Sequence, residues 1–554
     1  MLVALLVRVG HLGYGLPDVY HPDEARIVAR AVRVHTGALN PHFFNWPSLS
    51  VYLLATVYGL MALPDPAGAA RAFARDPALF YLVGRFVTVA FGAATVVALY
   101  ALAAPLYGRV VGLLAGLFLA VGLLHVHDSR FVTTDVPMTA LVAFAVGAAL
   151  RYEGTGSGRV AGAAGFVAGL AASMKYPGAL AFVPLTIAGL RRLRLDAPPG
   201  ERRALRDLGL GAALALGGFL LGTPFAALSP VEFMRGVLGE VGEVHSVQFG
   251  NEAELPAPLF HLLHALPTAM GPPVALLAVA GLGLVLARGG PREATWLSFP
   301  IVYFLLIATW SARFERYAVP LLPFAALLAA LAVAVLAEEA HRRLPLRRVS
   351  LGVTLVAVTG LCLIPAVARL VTFQLVLARP DTREVAAAWI ERQIPLGARI
   401  AVEPYGPSLP VGRSALTETP GTALLDLARS PGEGAGAVAP PPPTAGAGDA
   451  GYRLVRLNTY DLGRLEGEGI DYVVLSGFVF RRHLQACDRY PEPCRFYQLL
   501  DRHATLLLTV GSGADDGRLT VGDIYAPLTR LRERARPGPE IRIYRLLRER
   551  EVAS

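Results

Sequence analysis

Residues 318–336 read AVPLLPFAALLAALAVAVL, nineteen residues without a charge. As a helix this run rises about 28 Å, close to the roughly 30 Å of hydrocarbon in a bilayer. RFERY stands immediately before it and EEAHRRLPLRR shortly after it, so the run is apolar in the middle and polar at both ends. Comparable runs recur at Tyr81–Ala103, Leu208–Leu228 and Leu351–Leu375. Backbone groups in lipid have no water to bond, so each run is expected to be a helix. Eleven spans fit the chain, over 2–17, 79–103, 107–125, 136–151, 159–173, 177–190, 208–227, 258–287, 294–310, 317–337 and 350–375. The expected fold is a polytopic α-helical membrane protein.

Composition agrees. The 554 residues are 54% hydrophobic and only 17% charged, against roughly 25% charged in ordinary soluble chains. Mean hydropathy is +0.49. The net charge of +9 would suit nucleic acid, but its placement argues against that partner. Arg109, Arg151, Arg159, Arg191, Arg192, Arg194, Arg202, Arg203, Arg206, Arg288, Arg292, Arg342, Arg343, Arg347 and Arg348 all fall in short loops between apolar runs. With the N-terminus in the cytoplasm, every one of those loops lies inside, as the positive-inside rule requires. The loop 18–78 and everything after residue 375 then lie outside. The opening MLVALLVRVGHLGYGL lacks the basic start and small-residue cleavage site of a signal peptide and reads as a first span. Its shortness leaves the true N-terminus open. PSLSVYLLATVYGLMAL (47–63) would invert the count if it crossed, and reads instead as a helix lying at the outer interface.

After residue 375 the pattern changes. DTREVAAAWIERQI reads as a helix capped by Asp381 or Thr382, and ARIAVEP, IDYVVLSGF, ATLLLTVG and EIRIYRL read as short strands. A Pro/Gly/Ala-rich loop falls at about 430–450. The expected division is a transmembrane domain over 1–375 and a small α/β extracytoplasmic domain over 376–554. Cys362 sits in an apolar run and reads as core, while Cys487 and Cys494 could pair if their stretch is extracytoplasmic.

Four polar constellations fall in the expected outer loops. VYHPDEAR places His21, Asp23, Glu24 and Arg26 after the first span, where a carboxylate pair could act as a general base or bind a cation. Acids at a Pro-started first helical turn account for the same pattern without function. HVHDSRFVTTDVPMT holds His125, His127, Asp128, Arg130 and Asp135, and helix capping by Thr133, Thr134 or Asp135 is the plain alternative. SMKYPG contains Lys175, the only lysine among 51 basic residues. A snorkelling cation could equally be arginine here, so the lysine favours a phosphate ligand, with Tyr176 beside it. WSARFERYAVPLLP puts Arg313, Glu315, Arg316 and Tyr317 on the side where positive charge is disfavoured. Phosphate binding or a salt bridge to Glu315 would explain them. Glu338 and Glu339 read as a solvated helix end, and His261 and His264 as one helix face.

Taken together, HPDE with NPHFFNWPSLSVYLLA, DSRFVTTDVPMT, GLAASMKYPGAL and RFERYAVPLLP resemble the GT-C superfamily of membrane glycosyltransferases. The likeness is to its dolichyl-phosphate-mannose protein mannosyltransferase-like and aminoarabinose-transferase-like families, in order across about 1–375. The resemblance implies inverting transfer of a hexosyl or pentosyl group from a polyprenyl-phosphate carrier to a protein, lipid or glycan acceptor in the cell envelope. The reaction would take place at the outer face of the cytoplasmic membrane. It implies Asp23 as base, with Glu24 and Asp135 positioning it or the sugar, or holding a divalent cation if one is used. Lys175, Arg316 and Arg130 would bind the carrier phosphate, and Tyr176 and Tyr317 would contact phosphate or sugar, with His21 in the same substrate-binding set. A transporter or flippase for a lipid-linked substrate is the alternative. It would require repeats and midplane charges, neither of which the sequence offers. A scaffold with a lapsed site is the third reading.

Overall fold

Helices surrounded by lipid gain little from an apolar stripe and associate by shape, through small residues that let backbones approach. The computed structural model describes residues 1–63, 65, 68–195, 200–249, 255–343, 350–410, 451–457, 459–513, 524 and 528–547. The expected loop at about 430–450 and Arg347 and Arg348 lie outside the described residues. Long apolar helices run over Pro77–Tyr107, Asp135–Thr155, Gly200–Gly222, Leu322–Arg343 and Leu351–Leu377. Among the described residues, five helical stretches are long and apolar enough to cross a membrane. Shorter apolar helices stand between them at Arg109–Val121, Gly158–Met174 and Pro272–Arg288. The chain is a multi-pass membrane protein of α-helices with a small sheet in its C-terminal part.

The tightest helix contact lies between Gly158–Met174 and Gly200–Gly222. A Cβ built on Gly165 or Gly169 would run into the backbone of Gly211 or Ala215. Gly281 sits in the same way against the backbone of Leu328.

Two expected spans are broken. The run 2–17 is helical only over Leu2–Val9, because Gly10, Gly13, Gly15 and Pro17 follow within eight residues. The run 258–287 is divided at Gly271, whose φ is 85°, between a π-helical turn at Phe260–Ala265 and the helix Pro272–Arg288. Pro272 and Pro273 supply no amide hydrogen to continue the first piece. The stretch 47–63 forms Leu49–Met61, about 20 Å long and so too short to cross. Its start is held where Thr223 Oγ1 accepts from the Ser48 amide at 3.2 Å.

In the C-terminal part, β1 (Arg399–Val402), β2 (Arg453–Arg456), β3 (Tyr472–Ser476), β4 (Ala504–Val510) and β5 (Ile541–Leu546) form one sheet in the order β2-β1-β3-β5-β4. β1 is parallel to β2 and β3, and β5 is antiparallel to β3 and β4. Alternation along the strands feeds two cores, as the strand period requires. Ile400, Val474 and Ile543 meet Ala386 and Ile390 on one face. Ala401, Val473 and Tyr544 meet Phe496 and Leu500 on the other. The helix Thr382–Gln393 starts with a capping box between Asp381 and Glu384. β2, with basic residues at both ends and no alternation of burial, carries no strand signal in its sequence.

This part is tied to the helical part at several points. Tyr14 donates to Asp381 at 2.6 Å, and Arg383, bidentate on Asp381, lies 3.4 Å over the Tyr20 ring. Phe249 is gripped more closely. Its ring lies under the Arg482 guanidinium at 4.2 Å, with His483 at 4.5 Å and Tyr490 at 5.0 Å, while Arg482 donates to its carbonyl at 2.8 Å. A Cys487–Cys494 disulfide braces the Tyr490 wall, and Cys362 is free. Behind His483, Tyr497 lies 3.1 Å from its Nδ1 and donates at 2.6 Å to the buried Glu403, which also accepts from the Ser476 amide at 2.7 Å. Burial pushes the Glu403 carboxyl up to about 8.

Two outcomes are expected. Gly169→Val should lower the thermal midpoint in detergent by several degrees, because overpacking costs about 1–3 kcal/mol. Gly217→Val, at an exposed position where an added Cβ meets nothing within 4 Å, should leave the midpoint unchanged, and equal effects would refute the packing account. Glu403 binds a proton in the folded state that the unfolded chain releases near pH 4.3. Stability of the C-terminal part should therefore fall as pH rises from about 5 to 8 and level off above that. Glu403→Gln should flatten this slope in a melting series.

Candidate active site

The helix Pro22–Val34 begins with His21 as N-cap, its Nδ1 accepting from the Asp23 amide at 3.3 Å, and Asp23 and Glu24 fill the first turn. The plain reading of these acids as a solvated helix start does not hold, because both are buried. Glu24 is clamped by Arg85, Nε to Oε1 at 2.8 Å and Nη2 to Oε2 at 2.6 Å, and it also accepts from the Val132 amide at 3.0 Å. Arg85 in turn donates to the carbonyls of Leu12 and Tyr14. Glu24 thus fastens three chain segments together.

Asp23 forms an ion pair with Arg316, which arrives from 293 residues away. Burial alone would raise the Asp23 carboxyl, but Arg316, with His21, Arg26 and Lys175 behind it, holds it below its ordinary value. Arg316 is carried by the 3₁₀ segment Glu315–Leu321 and lies 5.0 Å over Phe314 and 5.9 Å over Tyr317.

The third and second motifs also meet. Lys175 ends the helix Gly158–Met174 in extended backbone, and its Nζ donates to Asp135 Oδ1 at 2.8 Å. The same ammonium lies 5.4 Å over the Tyr317 ring, so Tyr317 touches both cations. Asp135 opens the helix Asp135–Thr155. The N-cap there is Thr134, whose side chain makes no capping bond, so capping does not account for the acid.

Other expected residues serve differently. Tyr176 donates to the Phe44 carbonyl at 2.6 Å and holds that loop. His21 stacks on Phe131 at 4.7 Å, and burial presses its imidazole down to about 3, so it stays neutral near pH 7. Arg130 is turned away from the cluster. It donates to the Val7 carbonyl at 3.0 Å and to Gln374, with Phe373 under its guanidinium at 5.2 Å. The short helix Leu123–Asp128 ends just before it, which points Arg130 at the first helix and the last span. Glu315 pairs with His264 at 3.0 Å instead of with Arg316, so His264 belongs to the rim of the cluster.

Two further acids join the site. Asp128 is buried against His127 at 2.9 Å, and burial, with Asp135 nearby, raises its carboxyl. Asp128 belongs to the second polar constellation, HVHDSRFVTTDVPMT, without a role assigned to it there. Glu240, on the helix Pro230–His245, feels Lys175, Arg316 and Asp23. Nothing in the local sequence GEVGEV marks it. Among the described residues no three His, Cys, Asp or Glu side chains cluster to hold a metal. Glu24 is clamped by Arg85 and Asp135 is paired with Lys175, and no step below uses a divalent ion.

Residues 81–217 match the family model of dolichyl-phosphate-mannose-protein mannosyltransferases, a stretch holding Arg85, Asp128, Asp135 and Lys175. No curated protein matches the sequence. Among solved structures, the chain is similar to ArnT from Cupriavidus metallidurans bound to undecaprenyl phosphate, at 15% identity and TM-score 0.45, covering 71% of each chain. It is also similar to the Archaeoglobus fulgidus oligosaccharyltransferase in the apo form, at 12% identity and TM-score 0.48, over 99% of this chain and 88% of that one. A third likeness is to the S. cerevisiae protein O-mannosyltransferase complex bound to the sugar donor, at 19% identity and TM-score 0.29, over 49% of this chain and 36% of that one.

Removing Arg85 would leave Glu24 charged and buried. Arg85→Met should cost about 3–5 kcal/mol, read as a fall in thermal midpoint, and Glu24→Gln added to it should restore most of the loss. Failure of the second change to rescue would show that Arg85 matters through its packing and its bonds to the Leu12 and Tyr14 carbonyls and not through the charge of Glu24.

Proposed function

We propose that the chain is an inverting glycosyltransferase that moves a sugar from a polyprenyl-phosphate carrier to an acceptor at the outer face of the cytoplasmic membrane. Residues 1–375 would form the transferase domain and 376–554 an extracytoplasmic domain. The observation that supports this most is the pair Asp23–Arg316 standing beside the pair Lys175–Asp135, with Tyr317 in contact with both cations. A carboxylate able to take a proton and two cations able to take an anion therefore converge at one place, assembled from all four motifs.

The mechanism follows from competition for those cations. In the resting arrangement Asp23 is a weak base, because Arg316 stabilises its charged form. The carrier phosphodiester is a competing anion. When it draws Arg316 and Lys175 into charge-assisted hydrogen bonds, Asp23 loses its partner and becomes more basic. Asp23 then takes the proton of the acceptor hydroxyl as that oxygen attacks the anomeric carbon from the face opposite the phosphate. The bond from the anomeric carbon to the phosphate oxygen breaks, and the carrier leaves as its monophosphate. Arg316 and Lys175 stabilise the charge that grows on the leaving oxygen. Asp135 keeps Lys175 in position. The sugar is hexosyl or pentosyl, and the acceptor is a protein, lipid or glycan. A transporter would place its charges near the middle of the membrane, whereas these groups gather at the ends of the helices.

Membranes carrying the wild type should move label from one member of a panel of radiolabelled polyprenyl-phosphate sugars into envelope material. Asp23→Asn should lower that transfer by about 10²- to 10⁴-fold. Equal transfer by both would remove Asp23 from the chemistry, and no transfer from any donor would remove the enzyme reading.

A further inference from the structure

The helix Pro230–His245 has two unlike faces. Phe233, Gly236, Glu240 and Val244 recur at helical spacing and share one side. Phe233 packs on Phe44 at 5.8 Å and on Tyr176 at 6.2 Å. Gly236 is pressed against Phe44, where a Cβ would come within 2.6 Å. The Val244 carbonyl accepts from the amides of Ser311 and Ala312 at 3.0 and 2.9 Å, just before the segment that carries Arg316. Glu240 lies between these anchors, so its carboxyl is directed at the cluster of Asp23, Lys175 and Arg316. The opposite face, with Val231, Met234, Leu238 and Val241, is exposed. Beyond the helix, Phe249 is fixed in its cage on the C-terminal part. Both ends of this wall are therefore held.

Charge counting gives Glu240 its role. Arg85, Arg316 and Lys175 each already face a carboxylate, namely Glu24, Asp23 and Asp135. Glu240 has no hydrogen-bond or salt-bridge partner among the described residues. A phosphodiester entering the cluster adds one negative charge, and an ionised Glu240 would add a second that Arg316 and Lys175, each already facing a carboxylate, do not balance. A protonated Glu240 removes that repulsion and offers an O–H.

We infer that Glu240 is a carrier-binding residue, which takes up a proton from solvent as the donor binds and donates a hydrogen bond to an oxygen of the phosphodiester or of its sugar. The inference rests on the proposed carrier-dependent transfer. Burial supports it, raising the free carboxyl to about 7 against the opposing pull of Lys175. The groups facing Glu240 are Asp23, held ionised by Arg316, Lys175, Arg316 itself, Tyr176 and, on its own helix, Glu243. His21 and Asp128 stand behind Asp23, the first kept neutral by burial and the second raised by it.

The test uses full-length protein in nanodiscs and the methyl phosphodiester of undecaprenol, whose single charge does not change between pH 5 and 9. For wild type, Kd should rise about thirtyfold from pH 6 to pH 8.5, since a carboxyl that titrates near 7 in the free protein weakens binding tenfold per pH unit only above that pH. Glu240→Gln should bind with a Kd that stays within about twofold over this range, close to the wild-type value at pH 6. Glu240→Ala should be equally flat but weaker, and Glu243→Gln should keep the wild-type slope. The same slope in Glu240→Gln and Glu240→Ala as in wild type would overturn the inference. So would loss of binding in Glu240→Gln at pH 8.5 alone, which would mean that the carboxylate form is needed. Absence of binding by wild type at every pH would instead overturn the carrier-phosphate reading on which the inference stands.

Discussion

Each cation in the core of the polar cluster is held by a carboxylate from a distant part of the chain. Arg85 is held by Glu24, Arg316 by Asp23 and Lys175 by Asp135. Unpaired charge next to lipid is costly enough that these groups must pair or stay neutral. That requirement fixes how the bundle closes. The start of the helix Pro22–Val34 is pulled onto the helix Pro77–Tyr107, the 3₁₀ segment Glu315–Leu321 is pulled onto Asp23, and the ends of two neighbouring helices are joined by Lys175 and Asp135. The helices themselves pack by small residues at Gly165, Gly169 and Gly281, which specify closeness but not which polar ends meet. The ion pairs supply that choice.

The three pairs differ in what they could release. Glu24 is bidentate with Arg85 and also bonded to the Val132 amide, so removing its partner breaks a three-way junction. Asp23 pairs with Arg316 and Asp135 with Lys175, and both of those cations also rest on the face of Tyr317. A cation that has an aromatic face to rest on can give up part of its carboxylate contact to an incoming anion. The geometry therefore separates a structural carboxylate from two that an anionic ligand could unmask, although Asp23 and Glu24 are adjacent in sequence and alike in chemistry.

Much of this was legible in the sequence, for a physical reason. Apolar run length, arginine placement and the single lysine each report directly on the cost of charge in lipid, and the helical fold with its four polar motifs follows from that cost. The C-terminal strands were visible through their β-branched runs, except β2, where RLVR carries no alternation. Arg130 stands apart from Asp135 although the two share a motif. The side chain direction is set by the end of the helix Leu123–Asp128, and that turn sends it to Val7 and Gln374. The pairing of His264 with Glu315 depends on a π-helical turn that sequence periodicity does not reveal. Glu240 could not be found at all, since only the packing of Phe233 and Gly236 on Phe44 establishes which face of its helix looks inward.

The role of the C-terminal part can be argued from the same wall. The chain leaving the helix that carries Glu240 runs on to Phe249, and the ring and carbonyl of Phe249 are both taken by Arg482, with His483 and Tyr490 closing the cage. His483 leans on Tyr497, which leans on Glu403, a carboxyl buried within the sheet core. A domain that served only as a tether would have no need to enclose a residue of an inter-span loop in this way. Its cage sits four residues beyond the C-terminal end of a helix whose inner face meets the charge cluster, and the disulfide Cys487–Cys494 stiffens that cage. The physical effect is to fix the wall over the site at both ends, at Phe44 near the start of the helix and, beyond its last turn, at Arg482 from the sheet. The position of Glu240 relative to Lys175 and Arg316 is then set by two parts of the molecule, and a bound carrier would sense the fit of both.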